Sequence, residues 1–146
     1  MLLAPFTVLD ITHDGTGRLL WRVPVRERFR VDLDYTNSLF YAPATDRFVV
    51  EDLRLRLVEI SSTREAVLLH AGLEGPFEKR AGRFVAKRPG PVLAELTIRI
   101  GQIGKQRLVV GGRRIPIWQV GVGEAVRLRL SRVPRVLALI GGLRAP

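Results

Sequence analysis

The stretch Arg28-Phe29-Arg30-Val31-Asp32-Leu33-Asp34-Tyr35 decides the fold class, because charged and apolar side chains alternate along its whole length. Successive side chains of a strand point to opposite faces of a sheet, so the pattern predicts a strand with one buried and one solvated face. Such half-buried strands are typical of antiparallel sheets that pack on a core with one face only. We therefore expect antiparallel β-structure around this segment.

The same alternation recurs in residues 53–57, 96–100 and 126–130, with arginine on the outward positions. Asp14-Gly15 lies between apolar runs and is a strong hairpin signal, and Gly111-Gly112 between two further runs predicts a tight hairpin. Many short strands separated by turn signals predict an all-β protein, either a single-domain antiparallel β-sandwich or a barrel-like fold. No internal repeat or linker divides the chain, so residues 1–146 are predicted to form one domain.

Some parts of the chain allow more than one interpretation. Residues 1–7 are either a remnant of a leader or anchor or the approach to a first strand, and residues 131–146 are assigned to a C-terminal extension. Residues 66–69 are predicted to be a strand that ends at His70. Apolar residues at helical spacing are found only in residues 135–140, a run short enough to be a strand instead. A short strand is predicted for residues 83–86, and Pro116 is expected at a sheet edge or bulge.

Charge is distributed unevenly along the 146 residues, which carry 24 Lys and Arg against 14 Asp and Glu. Residues 1–73 have a net charge of −1, whereas residues 74–146 have +11. Such asymmetry raises nucleic acid and an anionic membrane surface as partners. Solvated outward faces of strands are the preferred interpretation, because most of these arginines alternate with apolar residues.

The sequence contains no recognisable catalytic or metal-binding motif. It has no cysteine, which excludes disulfides and thiol chemistry, and its two histidines lack metal-ligand spacing. His13 is expected to be solvated in a turn. Asp32 and Asp34 share a strand face with arginines and are expected to form cross-strand ion pairs. We predict neither catalytic residues nor a metal or other cofactor.

The segment 34–43 is the best candidate for a binding site. In it Asn37 and Ser38 follow a strand and precede the large side chains Phe40 and Tyr41. Asn and Ser often hydrogen-bond the local backbone, so one interpretation is a structural turn. The other is the rim of a binding pocket, in which exposed Phe40 and Tyr41 contribute apolar surface beside two polar anchors.

Several motifs resemble an uncharacterised family of bacterial extracytoplasmic domains that is often encoded beside TAXI-type TRAP transporters. The similarity spans residues 8–130 and includes a Leu-Leu-Trp-Arg-Val-Pro-Val strand at residues 19–25. It continues with Tyr35 to Leu39, with an element at Ala42 to Asp46 and with His70-Ala71-Gly72-Leu73. Residues 98–101 and 107–112 resemble the closing hairpin of the family.

The resemblance implies a location and a genetic neighbourhood, since the family has no known activity. This chain has Asn37 where the family has His, Thr45 and Asp46 where it has Glu, and Glu74 where it has Pro. If His and Glu form a ligand or metal site in the family, these departures imply that this chain has partly lost the site or binds a different ligand.

We therefore expect a non-enzymatic extracytoplasmic accessory domain that binds a transporter component, a carrier protein or a small solute. Any leader or anchor would then be missing from this chain. The expected binding residues are Tyr35, Asn37, Ser38, Asp46 and Gly72. The alternative is a basic β-barrel that binds nucleic acid nonspecifically, chiefly through Arg113, Arg114, Arg127 and Arg129.

Overall fold

The computed structural model describes residues 5–87 and 90–134. Short strands, one α-helix and one 3₁₀ helix make up its regular structure. In chain order they are β1 (Phe6–His13), β2 (Leu19–Val25), β3 (Arg30–Asn37), β4 (Ala42–Glu51), β5 (Arg54–Ser62), α1 (Glu65–His70), β6 (Glu78–Arg80), β7 (Arg83–Lys87), β8 (Val92–Leu93), β9 (Glu95–Arg99), β10 (Arg107–Val110), β11 (Arg113–Ile115), the 3₁₀ helix Ile117–Val120, and β12 (Ala125–Val133).

The strands form two antiparallel sheets that pack face to face. The four-stranded sheet has the order β2-β1-β12-β9, and the eight-stranded sheet has the order β11-β10-β3-β4-β5-β7-β6, with β8 paired to β5. This arrangement confirms the predicted all-β class and its sandwich-like form.

Alternation along the strands produces the core between the sheets. The smaller sheet contributes Leu9 and Leu128, and the larger sheet contributes Val31, Leu33 and Leu108, all of them buried. Removing these side chains from water is the main favourable contribution to folding. The stretch that begins at Arg28 thus buries the apolar face that the sequence predicts.

A second, smaller apolar cluster lies where α1 covers the inner face of the larger sheet. In this cluster Val67 and Leu68 pack against Ala42 and Ala44 of β4. The predicted strand at residues 66–69 is wrong, because these residues belong to α1. Glu, Ala and Leu are good helix formers, and burial of two adjacent side chains fits one helical turn better than it fits strand alternation.

Both predicted hairpins are confirmed, whereas the predicted closing hairpin is wrong. β1 pairs with β2, and β10 pairs with β11 across Gly111-Gly112. In contrast, β9 pairs with β12 in the smaller sheet, while β10 pairs with β3 in the larger one. Residues 98–101 and 107–112 therefore belong to opposite layers, and the chain crosses between the sheets from one to the other.

The structure also changes the predicted boundaries. Phe6 lies opposite Val133 in the pairing of β1 with β12, so the smaller sheet includes residues from both terminal segments. The predicted short strand is confirmed as β7, and Pro116 directly follows the edge strand β11. The apolar run 135–140 lies outside the described residues.

Candidate functional site

The turn between β3 and β4 is built by one side chain. The Oδ1 atom of Asn37, the last residue of β3, accepts hydrogen bonds from the backbone N–H groups of Leu39 and Phe40, each at 3.0 Å. Asparagine commonly organises turns in this way, by replacing a backbone acceptor with its own amide oxygen. Asn37 thus has the structural role that the sequence offered as one of its two interpretations.

The same turn presents two large apolar side chains to solvent, Leu39 and Tyr41, which we call the hairpin tip. Their exposed fractions are 56% and 71%. Tyr41 also has a φ of +52°, in the left-handed region. For a residue with a Cβ atom that conformation costs about 1–2 kcal/mol. The tip therefore combines backbone strain with an exposed aromatic ring.

Phe40 points away from the tip, so the expectation that it is exposed is wrong. Its half-buried ring packs on the cluster beneath α1 and meets the ring of His70 edge-on, with centroids 5.9 Å apart. The guanidinium of Arg64 lies 5.8 Å from the same ring. These contacts hold the turn against α1. Leu69, which precedes His70 in this helix, is 53% exposed.

A groove of about 430 Å³ lies beside the hairpin tip. One wall is formed by the end of β3 and the start of the turn, and the other by the loop that precedes β10. The backbone N–H of Thr36 donates to the Gly104 carbonyl at 2.7 Å and joins the two walls at one end. The lining residues are Tyr35, Thr36, Asn37, Ser38, Gly101, Gln102, Ile103, Gly104 and Gln106.

Gly104 sets the shape of the second wall. A Cβ atom at this position would lie 2.8 Å from the side-chain carbon and nitrogen of the Gln106 amide. The Gln106 amide nitrogen donates to the Arg99 carbonyl at 3.0 Å, which fixes the amide in place. The groove therefore has a defined wall that depends on the close approach of a glycine.

Asp46 lies next to this groove and is linked to it through Tyr35. The phenol O–H of Tyr35 donates to Asp46 Oδ1 at 3.1 Å, although Asp46 belongs to the next strand. Burial raises the pKa of Asp46 to about 6, and the hydrogen bond from Tyr35 opposes that shift. Burial also raises the pKa of Tyr35, with a smaller contribution from the charge of Asp46. Asp46 therefore supports a groove residue without lining the groove itself.

Gly72 does not join the other predicted residues. It lies in the turn after α1, where its φ is +83° and its N–H donates to the Leu69 carbonyl at 3.0 Å. It borders a separate depression beside β7. Three of the five predicted residues thus line one groove, Asp46 is hydrogen-bonded to one of them, and Gly72 has a conformational role at the end of a helix.

The other charged residues singled out in the sequence form ion pairs. The expectation of a solvated His13 is wrong, because its Nε2 atom lies 2.8 Å from the Glu124 carboxylate. Asp32 accepts two hydrogen bonds from Arg47, and Asp34 lies 3.4 Å from Arg107. The cross-strand ion pairs are confirmed, with arginines of the neighbouring strands as partners.

The arginines of the nucleic-acid hypothesis lie on both sheets. Arg113 and Arg114 belong to β11 at the edge of the larger sheet, whereas Arg127 and Arg129 belong to β12 of the smaller sheet. Arg127 also contacts two carboxylates, those of Asp14 at 2.7 Å and Glu95 at 3.8 Å. Nucleic-acid binding stays a prediction.

Comparison of the chain with family models, with curated proteins and with solved structures finds no match. Over residues 5–87 and 90–134, no three His, Asp or Glu side chains are grouped so that they would hold a metal ion. In the same residues no helix has the length and apolar character required to cross a membrane.

Proposed function

We propose that this protein is a non-enzymatic binding domain that acts outside the cytoplasm and docks onto a partner protein through its hairpin tip. The observation that carries the proposal is the state of Tyr41, which is strained at a φ of +52° and yet 71% exposed. Strained backbone persists where the surrounding structure maintains it, and such positions cluster at functional sites. Tyrosine is also among the residues that contribute most to protein interfaces.

The turn is ordered in a way that favours binding. Both hydrogen bonds of Asn37 and the packing of Phe40 on α1 hold the backbone between Leu39 and Tyr41. A partner therefore meets these side chains without having to order a loose loop, which lowers the entropic cost of association. Ser38 and the adjacent groove add a polar rim to the apolar centre.

The partner that we propose is a component of a TAXI-type TRAP transporter, and its solute-binding protein is the first candidate. This choice rests on the resemblance of the chain to domains encoded beside such transporters. A solute-binding protein works outside the cytoplasm, which agrees with the proposed location.

The experiment is a direct binding measurement between two purified proteins. The full chain is titrated against the TAXI-type solute-binding protein of the same source, by calorimetry and by sedimentation velocity. We expect a complex with an affinity in the micromolar range. Tyr41→Ser and Leu39→Ser are each expected to weaken it at least about tenfold, because exposed apolar anchors dominate interface energetics.

Val92→Ser is the matched control, since Val92 is another exposed apolar side chain and belongs to β8, which pairs with β5 at the end of the larger sheet away from the tip. We expect it to leave the affinity unchanged. Absence of binding by the unmodified chain would refute the proposed partner. An equal loss for Val92→Ser and Tyr41→Ser would instead show that the tip is not the docking surface.

A further inference from the structure

A second cavity lies on the opposite side of β5 from the hairpin tip and shares no lining residue with the groove. Its volume is about 360 Å³. It is bounded by residues of β5 and β7, by the loop after α1, and by Gly90 and Pro91 before β8. The lining residues are Leu57, Glu59, Ile60, Ala71, Leu73, Ala86, Gly90 and Pro91.

An irregularity in the sheet creates this space. The register of β4 with β5 shifts between Arg47 and Phe48, because β5 contains one additional residue at Val58. Bulges of this kind bend a strand and locally disrupt the ladder. As a result β5 pairs with β7 only from Glu59 onward and with β8 only at Leu55 and Arg56, which leaves Leu57 between the two partner strands.

Between the segments of β5 that pair with β7 and β8, the backbone of Leu57 is hydrogen-bonded to Gly90 and Pro91 instead. The N–H of Gly90 donates to the Leu57 carbonyl at 2.8 Å, and the Leu57 N–H donates to the Pro91 carbonyl at 3.2 Å. A Cβ atom on Gly90 would lie 2.9 Å from the Leu57 Cβ atom, closer than real contacts allow. Three of the lining residues, Gly90, Ala71 and Ala86, are thus small. The cavity exists because these residues do not fill the space.

Among the described residues that line the cavity, Glu59 is the only one with a charge, and that charge is already neutralised. Glu59 is only 7% exposed, and its carboxylate lies 2.7 Å from Arg80 and 3.2 Å from Arg47. A buried carboxylate with two guanidinium partners has no need of a cationic ligand. The remaining lining side chains are aliphatic, alanine, glycine or proline, so a charged ligand would lose its hydration without a compensating partner.

From these observations we infer that the cavity binds an uncharged apolar molecule about the size of a bicyclic aromatic. Small-molecule pockets measure roughly 300–1,000 Å³, and an apolar cavity of about 150 Å³ is sufficient for benzene. A volume of about 360 Å³ therefore suits two fused rings. This inference is independent of the proposed docking function, because it uses none of the residues of the hairpin tip.

The test uses 1-naphthylamine, a fluorescent probe that is uncharged at neutral pH and whose emission shifts to shorter wavelength in an apolar site. We expect saturable binding to the full chain. Ala86→Leu and Ala71→Leu place a larger side chain in the cavity and should each weaken binding at least about tenfold. Ala71 is exposed whereas Ala86 is half-buried, so Ala71→Leu keeps the test decisive if Ala86→Leu fails to fold.

Ala94→Leu is the matched control, because Ala94 is exposed and does not line the cavity. It should bind the probe like the unmodified chain. 1-Naphthoate has the same rings with a carboxylate, and we expect it not to bind. Absence of saturable binding of 1-naphthylamine, or equal binding by all three variants, would overturn the inference. Equal binding of 1-naphthoate would overturn the assignment of an uncharged ligand.

Discussion

Two hairpin tips of the larger sheet each contain a positive φ, and they place opposite kinds of residue at that position. Between β10 and β11, Gly111 and Gly112 have φ values of +54° and +79°. Between β3 and β4, Tyr41 has a φ of +52°. Glycine adopts this region without steric cost, whereas a residue with a Cβ atom is strained. The β10–β11 tip therefore has residues that suit its backbone conformation, whereas the β3–β4 tip has a side chain that its backbone conformation disfavours.

The surroundings of the two tips explain part of this difference. A Cβ atom on Gly111 would lie 3.1 Å from the Phe29 ring, so the β10–β11 tip has little room for a side chain there. Tyr41 instead extends into solvent. What stability alone does not account for is an aromatic residue at Tyr41, where glycine or asparagine would fit the backbone better. The docking function proposed for the β3–β4 tip would account for the ring at this position.

The largest expected effect comes from placing a side chain in the glycine tip. Gly111→Val combines backbone strain with a β-branched side chain pressed against Phe29, and should lower the free energy of unfolding by about 3 kcal/mol. Gly112→Ala is the control, because nothing lies within 4 Å of its Cβ position. It should cost about 1 kcal/mol, for backbone strain alone. Urea denaturation measures both, and equal losses would exclude a contribution from the Phe29 contact.

The next largest effect is a pH dependence of the unfolding free energy, which arises from Asp46 in β4. The pKa of Asp46 is raised to about 6 from an ordinary value of 3.8. Its protonated form is therefore favoured in the folded state, and the stabilisation is complete below the ordinary value and is lost as the pH rises through 6. The free energy of unfolding should fall between pH 4 and pH 7 by an amount on the order of 2 kcal/mol from this group.

Asp46→Asn isolates that contribution from the other acids, some of which act in the opposite direction. The pKa of Glu51, for example, is lowered by its hydrogen bond with Arg56. The difference in unfolding free energy between the unmodified chain and Asp46→Asn should therefore change with pH in the sense given above. If that difference is constant from pH 4 to pH 7, the carboxyl group is not held in a desolvated site in solution.

The hydrogen bonds of Asn37 in the β3–β4 turn should contribute less to the unfolding free energy than the Gly111 and Asp46 effects. Asn37→Ala removes the acceptor of two backbone N–H groups, and because the turn is partly solvated we expect a loss of about 1 kcal/mol in unfolding free energy. Asn37→Asp keeps an acceptor at the same place and should retain most of the stability. Chemical denaturation distinguishes the two, and an equal loss in both variants would contradict the assigned hydrogen bonds.

The local sequence pattern was sufficient to predict many strands of the sheets and both hairpins, because alternation and glycine-containing turns depend only on adjacent residues. α1 was missed because Val67 and Leu68 are buried side by side, which no alternation indicates in so short a segment. The hydrogen bond from Tyr35 to Asp46 depends on the register of β3 with β4, which places Asp46 opposite Leu33. The cavity near Leu57 depends on a bulge in β5. Register and bulges arise from tertiary packing, so the sequence alone does not reveal them.

The substitution with the smallest expected effect on stability is at Tyr41, and it tests the comparison of the two hairpin tips most directly. Tyr41→Asn replaces the strained aromatic with a residue that tolerates the left-handed region, so the unfolding free energy should rise by about 0.5 kcal/mol. At the same time, binding to the proposed transporter partner should be lost. Tyr41→Phe keeps both the ring and the strain, and should leave stability and affinity close to those of the unmodified chain. A stabilised Tyr41→Asn variant that still binds the partner would mean that the tyrosine at this tip is no more functional than the glycines at the other.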